Sequence, residues 1–447
     1  MQHATPTVAR PETDPYRKSR FLYILEAAFE YFISLLLAGA FLARVTTAIG
    51  MSDAETGIVS AFVSLGSGFQ FVSIFLAGRT PVKHWVTALH IVGQVFYALV
   101  YAIPFLPLAP GGKIALFTVC LLLGQVISNI ISSPKINWYM TLVPDGARGR
   151  FTATKEMVSL LGGMTFSMVM GFLCDRYYDA GNVYAAFLLC AITICVLSAL
   201  HTLTLVFSKE KPTPRHEHHA AAELRNLFTD RNLLRVVAIS VLWNVANYAT
   251  MPFFGTYQNR ELGFSLTFVA LLSVVYSIAR SLCSRPFGRL ADRFSFATML
   301  KICYAIEALG FLVNMFTVPA NGKVFYTVYY VLNAIGMAGV NSGEINLIYD
   351  YVAPENRTGA LALKNTLAGT LGFLSTLAAS ALVSHIQASG NRFLGISVYA
   401  QQVLSAIGLL ITLGILLYLH TVIGKIQRGV PSCSGAASCR TDDGTAG

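Results

Sequence analysis

Ser133-Pro134-Lys135-Ile136-Asn137 and Ser342-Gly343-Glu344-Ile345-Asn346 stand 209 positions apart, each inside a long apolar run. The correspondence continues downstream. Val143-Pro144-Asp145 precedes Arg148 as Ala353-Pro354-Glu355 precedes Arg357, and Ala153, Lys155 and Gly163 align with Ala362, Lys364 and Gly372. A run of matches mostly at offset 209 marks an internal repeat, so the chain is two copies of one unit.

What the unit consists of follows from composition. Of 447 residues, 55% are hydrophobic and 12% charged, about half the charge of an average soluble domain. Apolar runs long enough to span a bilayer occur near 21–43, 56–78, 85–107, 114–142, 156–174, 183–207, 233–255, 265–287, 296–318, 324–349, 360–386 and 396–424. The fold expected is an all-α polytopic membrane protein of 12 transmembrane helices, arranged as two six-helix bundles related by a pseudo-twofold axis along the membrane normal. The divisions are a polar N-tail (1–20), a first bundle (21–207), a linker (208–232), a second bundle (233–424) and a C-tail (425–447). The N-tail lacks the short apolar core and small-residue cleavage site of a signal peptide, so the first span is expected to stay in the mature chain. His216, His218 and His219 in the linker read as a solvated tract ahead of a metal site. The eight cysteines have no metal-ligand spacing and read as small packing residues or as reduced groups in the tail.

The net charge of +10 is explained by location. With the N-terminus inside, 24 of the 32 lysines and arginines fall in inward loops or toward the inward ends of spans, six in outward loops, and two, Lys135 and Arg280, are assigned to span interiors. This is the bias that orients membrane proteins, not a nucleic-acid patch. It places both termini in the cytoplasm and the chain in the cytoplasmic (inner) membrane.

After the eighth span comes Gly288-Arg289-Leu290-Ala291-Asp292-Arg293, and with this stretch the chain resembles the major facilitator superfamily, whose loop motif is G-x-L-A-D-R. The first half departs from it, with Ile74 for the glycine and Gly78 for the aspartate in Val72 to Arg79. The resemblance implies a gating latch at Gly288, Asp292 and Arg293, with Asp292 accepting from helix-end amides or a nearby arginine. Arg148 and Arg357 flank the matching turns and suit partner exchange between two states, or anchoring at lipid headgroups. It also implies that the first, fourth, seventh and tenth helices line a central cavity, and that the chain works as a monomer.

Glu30, Lys135 and Glu344 each sit roughly 14 Å from the cytoplasmic edge at the helical rise, which is mid-membrane. An ion at that depth costs at least about 2.5–3.5 kcal/mol and needs a watery cavity or a partner. Glu26 and Glu30 are four apart, so they share a helix face and repel unless a cation or proton intervenes. Lys135 can supply the cation, shared between the Glu26/Glu30 face and Glu344, with proton or substrate binding changing which acid it pairs with. A static ion-pair knot is the rival. The layout is similar to that of proton-coupled peptide transporters, although their acids are three apart and Tyr31 stands where they have an arginine. Asn137 and Asn346, beside the paired charges, and Trp243 and Asn247 on the seventh span are candidate cavity contacts; Asn244 and Tyr248 extend that stripe, which interhelical packing explains nearly as well. Arg280 and Glu307 lie at equal depth on an antiparallel hairpin and read as a structural ion pair. His90 and His201 read as single packing residues.

The fifth span has Leu161-Gly162-Gly163-Met164-Thr165 and no Gly-Pro motif. There is no P-loop, zinc spacing or G-x-S-x-G, so no enzyme activity, cofactor or metal is expected. The reading is a secondary active transporter of a small polar organic solute, coupled to protons through Glu30 and Glu344. The alternative is a transporter-shaped sensor or scaffold that binds ligand without net flux.

Overall fold

Backbone amides have no partner in hydrocarbon except one another, so the apolar runs close their hydrogen bonds along their own axes as helices. The computed structural model describes residues 14–72, 82–144, 148–211, 229–351, 357–393 and 395–423. They form α1 (Arg17–Leu36, then Gly39–Ala48 after a 46° bend), α2 (Asp53–Ser60 and Phe62–Gly68), α3 (Val82–Ala102), α4 (Pro110–Met140), α5 (Arg148–Asp179) and α6 (Val183–Phe207). The second half supplies α7 (Arg231–Thr250, prolonged irregularly to Glu261), α8 (Leu266–Arg293), α9 (Phe296–Met315), α10 (Gly322–Tyr351), α11 (Arg357–Ala388) and α12 (Ala400–Tyr418). Among the described residues nine helices are each long and apolar enough to cross a bilayer, and ten if bent α1 counts as one span. Piecewise α2 and α10, which carries Glu344, complete the twelve.

Short polar residues start the helices by capping orphan amides. Asp230 accepts from Asn232 N (2.9 Å) and Leu233 N (3.1 Å) at the head of α7, Ser265 from Phe268 N at the head of α8, and Ser295 from Thr298 N at the head of α9. Ser52 and Glu55 form a reciprocal capping box before α2. Gly50 and Gly263 adopt φ of +89° and +63° in the turns after α1 and α7, backbone that a side chain would strain.

The two largest apolar cores follow the repeat. One gathers Leu36, Leu42, Phe117, Phe187 and Ile194 of the first half, and the other Leu233, Trp243, Leu300, Phe311 and Ile415 of the second. Outside them, Leu282, Leu410 and Leu417 remain about two-thirds exposed, as side chains that face acyl chains should.

The halves meet where small residues let backbones approach. Ser64 Oγ of α2 donates to the Gly369 carbonyl of α11 at 2.9 Å. A Cβ at Gly369 would stand 2.6 Å from the Ser64 carbonyl oxygen, and one at Gly255 in α7 would stand 2.5 Å from the Gly39 carbonyl of α1. α5 and α8 make the other long contact.

We call the side holding the linker the linker side, and its opposite the far side. The far side is pinned across the halves. Arg260, beyond α7, pairs with Asp53 at the head of α2 (2.6 Å) and donates to Thr47 Oγ1 and the Met51 carbonyl. Gln387 of α11 donates to Asp53 at 2.7 Å. Asp175 of α5 accepts from Leu266 N (2.9 Å), Thr267 N (2.6 Å) and Thr267 Oγ1 (2.6 Å), capping α8 of the opposite half.

The motif at Gly288 to Arg293 was expected as a loop, and it forms the last turns of α8 instead. An unbroken helix keeps its amide hydrogen bonds where a loop would leave them to water. Gly288 and Arg293 are exposed there, and Arg293 lies 5.5 Å from the Phe294 ring centre. The side chains of Asp292, Arg148 and Arg357 lie outside the described residues, as do the histidine cluster, residues 1–13 of the N-tail and the C-tail.

Gly369→Leu must force α2 and α11 apart. Overpacking of this kind costs about 1–3 kcal/mol, so the purified variant is expected to melt several degrees below the wild type. An unchanged melting curve would show that these helices do not pack this closely.

Candidate functional site

α1 places Glu26 and Glu30 one turn apart on the face that meets α4. Lys135 of α4 is only 2% exposed, and its Nζ lies 2.6 Å from Glu26 Oε1 and 2.8 Å from Glu30 Oε2. Pro134, one residue earlier, has no amide hydrogen to give the helix ladder at this level. Two like charges on one face are thus held by a cation from a second helix, as the spacing suggested.

Behind the pair lies a feature the sequence did not disclose. His201 of α6 sets its Nε2 2.9 Å from Glu26 Oε1, the oxygen that also faces Lys135. The His90 ring of α3 packs edge-on against His201 at 4.1 Å between centres. Glu26, His201 and His90 are all buried, while the Glu30 side chain is 40% exposed and borders the cavity. The result is a row from His90 through His201, Glu26 and Lys135 to Glu30 that runs from a dry interior to open space. Four different helices supply it, so no local spacing could announce it. Glu26, Glu30 and His201 also offer three ligand atoms within 4.8 Å of one another. Lys135 already bridges the two carboxylates, which favours an ammonium over a metal ion there.

Glu344 was expected to share Lys135, and the structure corrects this. Glu344 is buried in the second half, where its Oε1 accepts from Tyr304 OH of α9 at 2.8 Å and its Oε2 pairs with Lys364 of α11 at 3.1 Å. A buried ion takes the nearest counter-charge on its own bundle, because reaching across a water-accessible gap gains less than a close contact. Lys364, one of the 24 cations assigned to the inward side, sits within α11 and neutralises Glu344. The repeated positions 135 and 344 carry opposite charges, and each meets its counter-charge within its own half.

Arg280 and Glu307 do not pair either. Glu307 is fully buried and its Oε2 accepts from Asn333 Nδ2 at 2.8 Å, whereas Arg280 faces the cavity. Equal depth on a hairpin does not set the direction around each axis. Trp243 differs too: it is 3% exposed and packs on Tyr304 and Phe311 at 5.3 and 6.3 Å. Asn247 lines the cavity as anticipated. Asn137 is exposed outside it, and Asn346 donates to the Ser342 carbonyl of its own helix at 2.9 Å.

The cavity between the halves has a volume of about 960 Å³ and extends among α1, α5, α7, α8 and α10 toward the linker side, where Lys155, Glu156 and Arg285 border it. A deeper lobe of about 630 Å³ shares Glu30, Ser34, Met251, Ser273 and Tyr330 with it and reaches Gln94, Gln125, Asn129 and Gln258. The wall is rich in hydroxyls and amides, with Tyr31, Tyr276, Tyr329, Tyr330 and Asn333 prominent. Such a wall suits a polar organic solute. The sequence reading missed the α8 face, although Ser273, Tyr276, Ser277, Arg280 and Ser284 recur at helical spacing and would have revealed it.

A duplicated helical bundle around a polar cavity, sealed on one side by contacts between its halves, defines a membrane transporter. The chain belongs to the Major Facilitator Superfamily: that family's model matches residues 22–376 and again residues 244–432. Among solved structures, the D-xylose-proton symporter superposes with a TM-score of 0.71 at 12% identity, covering 90% of this chain and 97% of that one. The nucleoside transporter NupG gives 0.64 at 12% identity, over 90% and 98%. An auto-inhibited POT family peptide transporter gives 0.67 at 14% identity, over 90% and 97%. At these identities the likeness is one of fold. No curated protein matches the chain. Membership makes the protein a multi-pass secondary transporter, not an enzyme, and disfavours the ligand-sensing scaffold.

Removing one member of a buried ion pair costs about 3–5 kcal/mol, because the other is left uncompensated. Lys135→Met should therefore lower the melting temperature far more than Glu30→Gln, and Lys135→Met with Glu26→Gln should recover part of the loss. Equal melting of all three would mean that the cluster is not buried as described.

Proposed function

We propose that the protein moves a small polar organic solute by alternating access, driven by protons that bind the Glu26/Glu30/Lys135 cluster. Glu26 and Glu30 bring two negative charges against one positive charge on Lys135. That excess carries the reading. A cluster with one uncompensated negative charge in a medium hostile to ions draws in a proton. The groups that share it are Lys135, His201 and Glu30 around Glu26, with His90 behind and Tyr23 and Tyr139 alongside. Glu30 meets the cavity and so serves as the port where proton and solute occupancy are compared. Glu344, neutralised by Lys364, serves as a second, closed charge site in the other half.

In this reading the moving units are the bundles 21–207 and 233–424, working as a monomer in the cytoplasmic membrane with both termini inside. The far-side contacts of Arg260, Asp53 and Asp175 then make this the inward-facing state. Gly288, Asp292 and Arg293, with Arg148 and Arg357, stand where the inner side would close. The names of two structural relatives, a sugar-proton symporter and a nucleoside transporter, accord with a polar solute.

The test is solute-evoked proton flux in vesicles holding the purified chain and a pH-sensitive dye, across polar solutes that include sugars, nucleosides and small carboxylic acids. Wild type should show flux, and Glu30→Gln and Glu26→Gln should lower it at least tenfold. Unaltered flux in both variants would remove the cluster from coupling. Asp53→Asn with Asp175→Asn should also raise far-side maleimide labelling of a cysteine placed at Ser60, which borders the deeper lobe. Labelling that stays at the level of the parent chain would mean that these carboxylates do not hold the seal.

A further inference from the structure

α8 presents one face to the cavity, carrying Ser273, Tyr276, Ser277, Arg280, Ser281 and Ser284. Arg280 stands midway along the 28-residue helix, hence about 20 Å from either end at the helical rise. Its guanidinium has no carboxylate within 4.0 Å among the described residues. Other charges around the cavity are accounted for differently. Glu30 is held by Lys135 at 2.8 Å, and Lys155, Glu156 and Arg285 lie toward the linker-side ends of their helices. Glu307, the acid nearest in depth, is turned away and bonded to Asn333.

A cation halfway through a bilayer persists where something neutralises or hydrates it. Among the described residues no acid does so here, and the guanidinium shares its wall with the hydroxyls of Tyr31, Tyr276 and Tyr330. Its planar fork of donors matches a carboxylate in a two-point contact, which a sugar hydroxyl or a neutral amide does not reproduce. The cavity of about 960 Å³ has room for an organic body behind that group.

We propose that Arg280 docks the anionic group of the transported solute, which makes the substrate an organic anion of the carboxylate class. This rests on the cavity being the solute site. One proton on the first-half cluster and one anion on Arg280 leave the loaded protein with the charge of the empty one, so the pair crosses without working against the membrane potential.

The experiment uses the purified full-length chain and matched probes: benzoate with benzamide, lactate with lactamide, and succinate with succinamide, read by thermal shift and calorimetry. At least one acid should stabilise the wild type while its amide does not. Arg280→Gln should bind that acid at least tenfold more weakly, and Arg280→Lys, which keeps the charge and loses the fork, should fall between. Should Arg280→Gln fail to fold, Arg280→Lys and the acid-to-amide comparison still decide. No acid binding, equal binding of amides, or undiminished binding in the variants would each overturn the docking role. Acid-selective binding without pH-driven flux would sink the coupling and leave Arg280 standing. Proton-driven uptake of a neutral solute untouched by Arg280→Gln would do the reverse.

Discussion

Lys135 is gripped by two carboxylates that α1 places one turn apart, and without it neither carboxylate would stay charged beside the other. The constraint is general to a protein whose solvent is hydrocarbon: each charge drawn below the headgroups must find its opposite nearby or open onto water. Lys135 and Glu344 answer it within their own halves. Glu30 and Arg280 answer it by opening onto the cavity. Apolar packing then follows, since each bundle can close its own core only after its internal charges are settled.

Ion pairs kept within a half matter for motion. An ion pair spanning the two bundles at mid-depth would have to be torn apart in hydrocarbon at each swing, at a cost of several kcal/mol. Here the contacts that must break lie toward the far-side rim, where Arg260 of the Arg260–Asp53 pair is one-third exposed and can be rehydrated. The interior contact between halves uses Ser64, Gly369, Gly39 and Gly255, whose small size sets backbone against backbone, beside the Phe62–Phe373 ring contact.

Much of the architecture was legible in the sequence because it is written in long-range regularities. The offset between Lys135 and Glu344 disclosed the repeat, and apolar runs of spanning length disclosed the rods. The Glu26, Glu30 and Lys135 cluster was legible as well, since acids four apart on one face demand a cation and Lys135 stood at their depth. What was hidden depended on rotation about the helix axis. Depth alone put Glu307 opposite Arg280 and Trp243 in the cavity, while packing turned Glu307 and Trp243 inward. The histidines were hidden for a different reason: His90 and His201 lie 111 positions apart on separate helices, and neither has a neighbour in sequence that predicts the other. The loop motif was mistaken for irregular chain because composition marks helix ends less sharply than hydrogen bonding does.

The Asp175 contact has a consequence for how the protein would feel its cargo. Asp175 grips the first amides of α8, Arg280 stands at the middle of that helix, and its one proline, Pro286, lies beyond that point. A continuous helix is a stiff beam. Anything that pulls or pushes at its midpoint loads the pinned end as well, so occupancy of the chamber and release of the outer clasp are applied to a single lever.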